Sequence, residues 1–362
     1  MRSSGQWRLG GWIARTVTAG ACGVVVMLAS CAIFAQPTIH TLRASPATVK
    51  WGFFDPTSPP VLTMASGESV RVETVMAAAE FLRRLGVEER WLTPAMTALD
   101  EVKDRGPGGH WLVGPIYVRD AEPGDVLEVR IKDLRVTDSF AVNGFAPGFG
   151  TLPSDFPLQR AKVIPLDLEA NVARFAPGID VPLRPFFGNL GVAPPPLVGR
   201  ISSGPPGWHG GNLDNKELVS GTTLYLPVHV PGALFSVGDG HAAQGDGEVD
   251  GSALETSLAG TLELIVRKDL HWRWPRAETP THFITMGFDP DLDEAARLAT
   301  RDMVAFITEH YPTDDVDAYV LTSIAVDLRV TQLVDGVKGI HAMLPKSIFR
   351  AGMTRERRGG EK

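Results

Sequence analysis

The sequence predicts an α+β fold dominated by strands, with a β-sandwich or barrel-like body and a pair of helices late in the chain. Three observations predict this class. Several stretches alternate polar and apolar residues and are rich in β-branched side chains, which is the pattern of half-buried strands. The 362 residues include 38 glycines and 28 prolines, so turns are frequent and long helical bundles are disfavoured. Helical periodicity is concentrated after residue 288.

The predicted strands occupy four alternating segments that are punctuated by Pro-Gly or Gly-Asp turns. These segments are residues 69–75, 125–136, 222–230 and 261–270. Between the second and the third lies a Pro/Gly-rich tract, residues 144–211, whose prolines exclude regular helix and disfavour central strands. We expect this tract to be an ordered loop on the surface, where functional sites are often built.

Two helices are predicted near the C-terminal end. Asp289 and Pro290 are a plausible N-cap and first-turn pair, and Tyr311-Pro312 ends the first helix. Apolar residues at helical spacing share one face between these signals: Leu292, Ala296, Ala299, Met303, Phe306 and Ile307. A second helix is expected after Thr313.

The charge of the chain excludes one class of partner. Residues 1–35 contain three arginines and no acidic residue, which leaves 32 basic and 42 acidic side chains, a formal net charge of −10, for residues 36–362. Phosphate binding requires a basic stripe, so we expect no nucleic-acid partner. The hydrophobic share of 44% is ordinary for a globular protein.

The N-terminal segment has the composition of a secretory signal. Residues 16–42 contain no Asp, Glu, Lys or Arg, and their centre is the apolar run Val24-Val25-Val26-Met27-Leu28. Basic residues precede this run and small residues follow it, as in signal peptides. We therefore expect residues 1–35 to be a signal peptide, residues 36–362 to form one domain, and the mature protein to be extracytoplasmic.

Two cleavage sites are possible in this segment. Leu28-Ala29-Ser30-Cys31 resembles the lipobox of bacterial lipoproteins, which would leave a lipidated Cys31 as a membrane tether. Cleavage after Ala35 would instead release the protein into the periplasm. An uncleaved anchor is the third possibility, because residues 16–35 are just long enough to span a bilayer. All three place the body outside the cytoplasm.

Potentially reactive polar residues converge in two runs, residues 208–214 (WHGGNLD) and 238–248 (GDGHAAQGDGE). Four glycines in the second run disfavour helix and strand, so we expect a loop. Glycines that alternate with Asp, His and Glu allow the backbone to fold tightly and direct several ligands to one point. The pattern matches neither an EF-hand nor HExxH.

These residue types predict a divalent metal site. Histidine with carboxylates suits zinc, whereas carboxylates with carbonyl oxygens suit calcium. The alternative is a turn-rich connection between strands, in which the Asp and His side chains only form hydrogen bonds with the backbone.

With these two runs the sequence resembles the acetamidase/formamidase family of amide hydrolases. The HGGNLD and GDGHAAQGDGE runs are the most specific part of the resemblance. The matching segments occur in family order across nearly the whole mature chain: residues 51–61, 114–129, 142–153, 182–195, 202–218, 221–248 and 327–345.

The resemblance implies a strand-rich fold, a small-molecule amide substrate such as formamide or acetamide, and a homo-oligomer. It also implies a bound divalent metal, zinc or calcium. The residues at matching positions that could serve the site are His209, Asn212 and Asp214 in the first run and Asp239, His241, Asp246 and Glu248 in the second.

Elimination supports a metal-activated mechanism. The only cysteines, Cys22 and Cys31, precede the mature domain, so a thiol nucleophile is excluded, and no Gly-x-Ser-x-Gly motif is present. A metal ion would lower the pKa of water and polarise the amide carbonyl. We assign metal contact to residues among His209, Asp214, Asp239 and His241.

Two residues receive other roles. Glu248 is the predicted general base and proton shuttle, and Asn212 is predicted to help stabilise the oxyanion. Glu248 could instead be a metal ligand or a structural turn carboxylate. A second function also stays open, a metal-stabilised extracytoplasmic binding protein that kept the fold without turnover.

Overall fold

The structure is a computed structural model that describes residues 38–350. The predicted signal peptide and the candidate lipidation site at Cys31 lie outside these residues. Within residues 38–350, none of the helices combines the length and the apolar character needed to cross a membrane.

Strands dominate the described residues, which confirms the predicted class. In chain order the strands are β1 (Ile39–Arg43), β2 (Val49–Trp51), β3 (Phe53–Phe54), β4 (Leu62–Met64), β5 (Ser69–Glu73), β6 (Trp111–Val118), β7 (Val126–Val136), β8 (Phe140–Phe145), β9 (Arg160–Asp167), β10 (Val172–Ala176), β11 (Ile179–Pro182), β12 (Phe186–Gly191), β13 (Ile201–Ser202), β14 (Gly210–Asn212), β15 (Thr223–Pro227), β16 (Phe235–His241), β17 (Leu258–Arg267), β18 (Arg276–Glu278), β19 (His282–Asp289), β20 (Asp327–Gln332) and β21 (Lys338–Pro345). The helices are α1 (Ala79–Arg84), α2 (Pro94–Ala98), α3 (Leu292–His310) and α4 (Asp315–Ala325).

Two large sheets form the body of the described residues. One has nine strands in the order β1-β5-β17-β7-β15-β18-β19-β21-β20, and the other has the order β14-β12-β16-β6-β2 with β4 paired to β6. Smaller sheets are formed by β11-β10-β9-β8 and by β13-β3. Each sheet of the described part is open, so the body is a layered structure without a closed barrel.

The two large sheets share one hydrophobic core. The nine-stranded sheet contributes Val72, Leu127 and Leu262 to this cluster, and the six-stranded sheet contributes Val113, Leu190 and Val237. Burial of these apolar faces against each other is the main stabilising term of such a layered fold. The predicted sandwich-like body follows from this shared core.

The Pro/Gly-rich tract, expected to be a surface loop, contains several strands, and that expectation was wrong. One of them, β12, is buried at all six positions and lies between β14 and β16. The prolines flank this strand, at Pro185 and Pro194, so none interrupts its hydrogen-bonded ladder.

The second polar run was expected to be a loop, and its first four residues instead complete strand β16. The glycines are needed because neighbouring strands approach closely. A Cβ atom at Gly238 would collide with the carbonyl oxygen of Trp111, and one at Gly240 would lie 2.5 Å from the carbonyl oxygen of Thr256.

The predicted pair of late helices is present. The first, α3, begins at an N-cap two residues later than predicted, where Asp291 accepts hydrogen bonds from the backbone of Asp293 and Glu294. It buries Ala295, Ala299, Met303, Phe306 and Ile307 against β19 and β21. The second, α4, is capped by Asp314.

Candidate active site

Two strands on either side of β12 place the central residues of the site around one glycine. Asp239 and His241 are two residues apart on β16, so their side chains share a face, and Asp214 follows β14. Gly188 lies on β12 between these strands. A Cβ atom there would come within 2.6 Å of both Asp214 Oδ1 and Asp239 Oδ2 and within 2.8 Å of His241 Cε1. Only glycine leaves room for the three side chains to converge.

The charged side chains form two overlapping groups, and within each group the potential ligand atoms lie within 4.8 Å of one another. The inner group is Asp214, His241 and Glu248, and the outer group is Asp239, His241 and Glu255. His241 Nε2 lies 4.0 Å from Asp214 Oδ1, 3.4 Å from Asp239 Oδ1 and 3.3 Å from Glu255 Oε2. Because both groups share His241, they describe one site.

The orientation of His241 is set by Gln244. The amide nitrogen of Gln244 donates to the backbone carbonyl of Asp214 at 2.8 Å, which leaves its Oε1 to accept from His241 Nδ1 at 2.9 Å. Nδ1 therefore carries a proton, and Nε2 faces the carboxylates. A neutral ring in this tautomer offers the Nε2 lone pair to a cation.

Three of the acidic residues have a strained backbone. The φ angles of Asp214, Asp239 and Glu248 are 46°, 59° and 45°, in the left-handed region that non-glycine residues rarely adopt. Such a conformation costs on the order of 1–3 kcal/mol per residue and tends to persist at functional sites. The strain indicates that the position of these carboxylates matters more than local stability.

Burial and mutual repulsion act on the inner carboxyl groups. Burial, and then the charges of Glu248 and Asp335, raise the pKa of Asp214 well above its ordinary value. Burial likewise raises the pKa of Glu248, although the charge of His241 opposes the shift. Burial also raises the pKa of Asp335 to about 6. Burial and the neighbouring carboxyl groups therefore favour the neutral form of these inner carboxyl groups.

The outer group is balanced by histidines. Burial alone would raise the pKa of Asp239, but the charges of His110 and His241 lower it to about 2. His110 Nε2 lies 3.8 Å from Asp239 Oδ2. Burial alone would lower the pKa of His241, yet the charges of Glu255 and Asp239 hold it well above its ordinary value. A positive charge near Nε2 is thus strongly favoured here.

These residues fit a divalent cation. Asp214 Oδ1 is buried and has no hydrogen-bond partner among the described residues, which is a costly state for a carboxylate oxygen. The space over Gly188 is where the side chains of Asp214, Asp239 and His241 converge. A set of one imidazole nitrogen with carboxylate oxygens suits zinc or a similar ion better than calcium, which takes oxygen ligands.

Asn212 is placed at the site in a different role from the predicted one. Its two amide hydrogens are directed to Asp214 Oδ2 at 2.6 Å and to Asp335 Oδ2 at 3.2 Å, and its Oδ1 accepts from Asn189 at 3.2 Å. No amide hydrogen is left for an oxyanion. Asn212 therefore orients two carboxylates, and the assignment as an oxyanion donor is corrected.

His209, a predicted metal ligand, belongs to neither group. Its ring packs edge-on against Phe54 and Trp208 at centroid distances of 5.1 and 5.3 Å. Burial, and then the nearby His229, lower its pKa to about 3. The glycines that follow it turn the chain, so that Asn212 and Asp214 reach the carboxylates while His209 packs among aromatic rings.

Three residues of the site escaped the sequence interpretation. Glu255 reaches His241 because residue 255 forms an isolated bridge with residue 241, a contact without a sequence motif. Asp335 precedes the positive-φ Gly336 in the connection between β20 and β21, and an Asp-Gly pair is a recognisable hairpin signal. His110 immediately precedes β6, outside both polar runs.

A cavity of about 460 Å³ opens onto the outer group. Asp239, Glu255 and His110 form part of its wall, whereas Asp214, His241 and Glu248 do not line it. A small molecule in the cavity would therefore meet the outer group first. The arrangement can bind a cation and present carboxylates to a reacting molecule.

Comparison with known proteins is consistent across sequence and structure. A model of the acetamidase/formamidase family matches residues 47–202 and 198–351. An acetamidase from Bacillus halodurans is 34% identical, with a TM-score of 0.73 and coverage of 85% of this chain and 98% of that one. A protein described as a predicted acetamidase/formamidase from Thermoanaerobacter tengcongensis is 30% identical, with a TM-score of 0.74 and coverage of 86% and 97%.

Curated relatives match over a shorter stretch. A formamidase from Methylophilus methylotrophus is 31% identical over 209 residues, which is 43% of this chain and 51% of the relative. The matched region spans about half the length of the curated relatives.

Proposed function

Because the chain belongs to the acetamidase/formamidase family, we propose that it is a metal-dependent hydrolase of linear amides that releases a carboxylate and ammonia. The observation that carries this proposal is the pair of overlapping groups that share His241, because the outer group reaches the wall of the cavity through Asp239 and Glu255. The names of the relatives, formamidase and acetamidase, support the reaction class.

The residues that would hold the metal are Asp214, Asp239 and His241, whose side chains converge over Gly188. A divalent ion bound there would lower the pKa of a water molecule and polarise a carbonyl group. The protein supplies the orientation of these ligands, through Gln244 on His241 and Asn212 on Asp214.

The hydrolysis also requires a group that moves protons. Water oxygen adds to the carbonyl carbon, the C–N bond breaks, and the leaving nitrogen takes up a proton to depart as ammonia. Glu248 is the carboxyl group predicted for this transfer. Glu255 is the second candidate, because its side chain faces the cavity and lies 3.3 Å from His241 Nε2.

We propose further that the protein acts outside the cytoplasm, either free in the periplasm or tethered through Cys31. The charge-free apolar run behind three arginines supports this location. We also propose a homo-oligomer. The outer face of α4 supports this, since Val316, Tyr319, Val320 and Ile324 are more than half exposed and form one apolar stripe.

Ammonia release by the full-length protein tests the proposed function. Wild type with added zinc should release ammonia from at least one amide of a panel from formamide to aromatic acetamides. Glu248→Gln and Glu255→Gln identify the proton carrier. The variant that removes the proton carrier should keep its metal and lose about a hundredfold or more in rate. The variant of a metal ligand should instead lose metal and turnover together. A metal-loaded protein that hydrolyses none of the amides would overturn the proposal and favour a binding protein.

A further inference from the structure

The cavity in front of the outer group is far larger than formamide or acetamide requires. Formamide has three non-hydrogen atoms, whereas about 460 Å³ falls in the range of pockets that bind drug-sized ligands, roughly 300–1,000 Å³. A three-atom substrate would leave most of the cavity filled with water and most of its wall unused.

Part of this wall is aromatic. Trp51 and Trp111 meet edge to face with ring centroids 6.0 Å apart. The guanidinium group of Arg105 lies over both rings, 5.0 Å from the centroid of Trp51 and 6.0 Å from that of Trp111. All three side chains line the cavity. Stacked and edge-on aromatic contacts favour a ligand that carries a ring of its own.

Two further aromatic residues of the wall are unusually exposed. Phe81 is 50% exposed and Phe149 is 64% exposed, although both border the cavity. Phe81 comes from α1 and Phe149 from the segment between β8 and β9. Exposed apolar side chains around a concave site are typical of ligand-binding surfaces.

We propose that the substrate is a primary amide whose acyl group carries an aromatic ring, an arylacetamide or a close analogue. This inference rests on the proposed amide hydrolysis and names its substrate class. The amide group would lie at Asp239 and Glu255, and the ring would lie among Trp51, Phe81 and Phe149. Hydrolysis adds water to the carbonyl carbon, breaks the C–N bond and, with the proton of the acid taken up by the leaving nitrogen, yields one arylacetate and one ammonium ion.

Steady-state kinetics with phenylacetamide and acetamide test this inference on the full-length, zinc-supplemented protein. The kcat/KM value of wild type should be at least tenfold higher for phenylacetamide, because the ring adds contacts that acetamide cannot make.

Gly109→Phe is designed to fill the cavity without disturbing the fold. Gly109 lines the cavity beside His110, its φ lies outside the left-handed region, and an added Cβ would meet no atom within 4 Å. This variant should lower kcat/KM for phenylacetamide about tenfold or more and should lower the value for acetamide by a smaller factor. Phe149→Ala should lower the phenylacetamide value about two- to tenfold. Leu197→Ala, an exposed leucine away from the cavity, is the control and should change neither value.

The outcomes separate this inference from the proposed function. Acetamide hydrolysis that equals or exceeds phenylacetamide hydrolysis would overturn the substrate class and leave amide hydrolysis intact. If Gly109→Phe lowers kcat/KM equally for phenylacetamide and acetamide, the substrate class is likewise overturned and amide hydrolysis stands. A metal-loaded protein that hydrolyses neither these amides nor any other of the panel would overturn the proposed function and the substrate class together.

Discussion

His241 Nδ1 lies 2.9 Å from Gln244 Oε1, and this hydrogen bond determines which ring nitrogen faces the carboxylates. The same glutamine is anchored by its amide nitrogen to the backbone of Asp214. The side chain of Gln244 thus fixes both the tautomer of His241 and the distance between His241 and Asp214.

Gln244→Leu should weaken metal binding through His241. Loss of a hydrogen bond behind a ligand typically lowers metal affinity about 10–100-fold. Zinc titration of the apoprotein measures this change, and saturating zinc should restore most of the turnover because the ligands themselves are intact. Gln244→Glu keeps an acceptor for Nδ1 and should lie closer to wild type. Unchanged zinc affinity in Gln244→Leu would show that the orientation of His241 does not depend on Gln244.

Gly188→Ala should abolish metal binding while the fold persists. Its Cβ atom would lie 2.6 Å from Asp214 Oδ1 and Asp239 Oδ2, so these side chains must move apart. We expect loss of bound metal and at least a hundredfold loss of turnover, with a circular dichroism spectrum like that of wild type.

The matched control for this substitution is Gly245→Ala, since a Cβ at Gly245 would meet no atom within 4 Å. This variant should retain metal and activity. Normal metal content in Gly188→Ala would contradict the assignment of the site to the space over Gly188.

His341 should make the protein less stable as the pH falls. Burial lowers its pKa to about 4, against an ordinary value near 6.5, in surroundings that contain Asp246, Glu217, Arg329 and Lys216. At pH values between these two pKa values, His341 is protonated in the unfolded chain and neutral in the folded chain. The free energy of unfolding therefore decreases as the pH falls through this range. The full contribution, present above pH 6.5, is about 3 kcal/mol.

Urea denaturation of wild type and His341→Gln at pH 7, 5.5 and 4.5 isolates this effect. The difference in the free energy of unfolding between wild type and His341→Gln should decrease by most of about 3 kcal/mol as the pH is lowered from 7 to 4.5. Parallel pH profiles would show that His341 does not titrate differently in the folded state.

The location of the protein tests the interpretation of its first 35 residues. The mature protein should fractionate outside the cytoplasm. Cys31→Ala should move it from the membrane to the soluble fraction if Cys31 is lipidated, and the absence of movement would favour cleavage after Ala35. A cytoplasmic protein with residues 2–35 intact would refute the predicted secretion.

The sequence predicted the strand-dominated class because alternation of side chains and turn residues are local properties, and β5, β7, β15 and β17 fall where that alternation is found. It missed β12 because a count of prolines over 68 residues hides a buried stretch that the prolines only flank.

Within the site, Asp239 and His241 could be paired from the sequence because they are two residues apart on one strand. Glu255 and Asp335 could not, since pairing between distant segments brings them to His241 and Asn212. His209 was misplaced for the same reason: two glycines with positive φ decide which side chains of its run face the carboxylates.

The central claim is that Asp214, Asp239 and His241 hold a divalent ion on which amide hydrolysis depends. The most direct test measures metal content and ammonia release on the same preparation, before chelation, after chelation and after zinc or calcium is added back. The account predicts about one ion per chain, loss of the ion and of turnover together, and recovery of both, with zinc more effective than calcium. Full turnover in a preparation verified to be free of metal would contradict it.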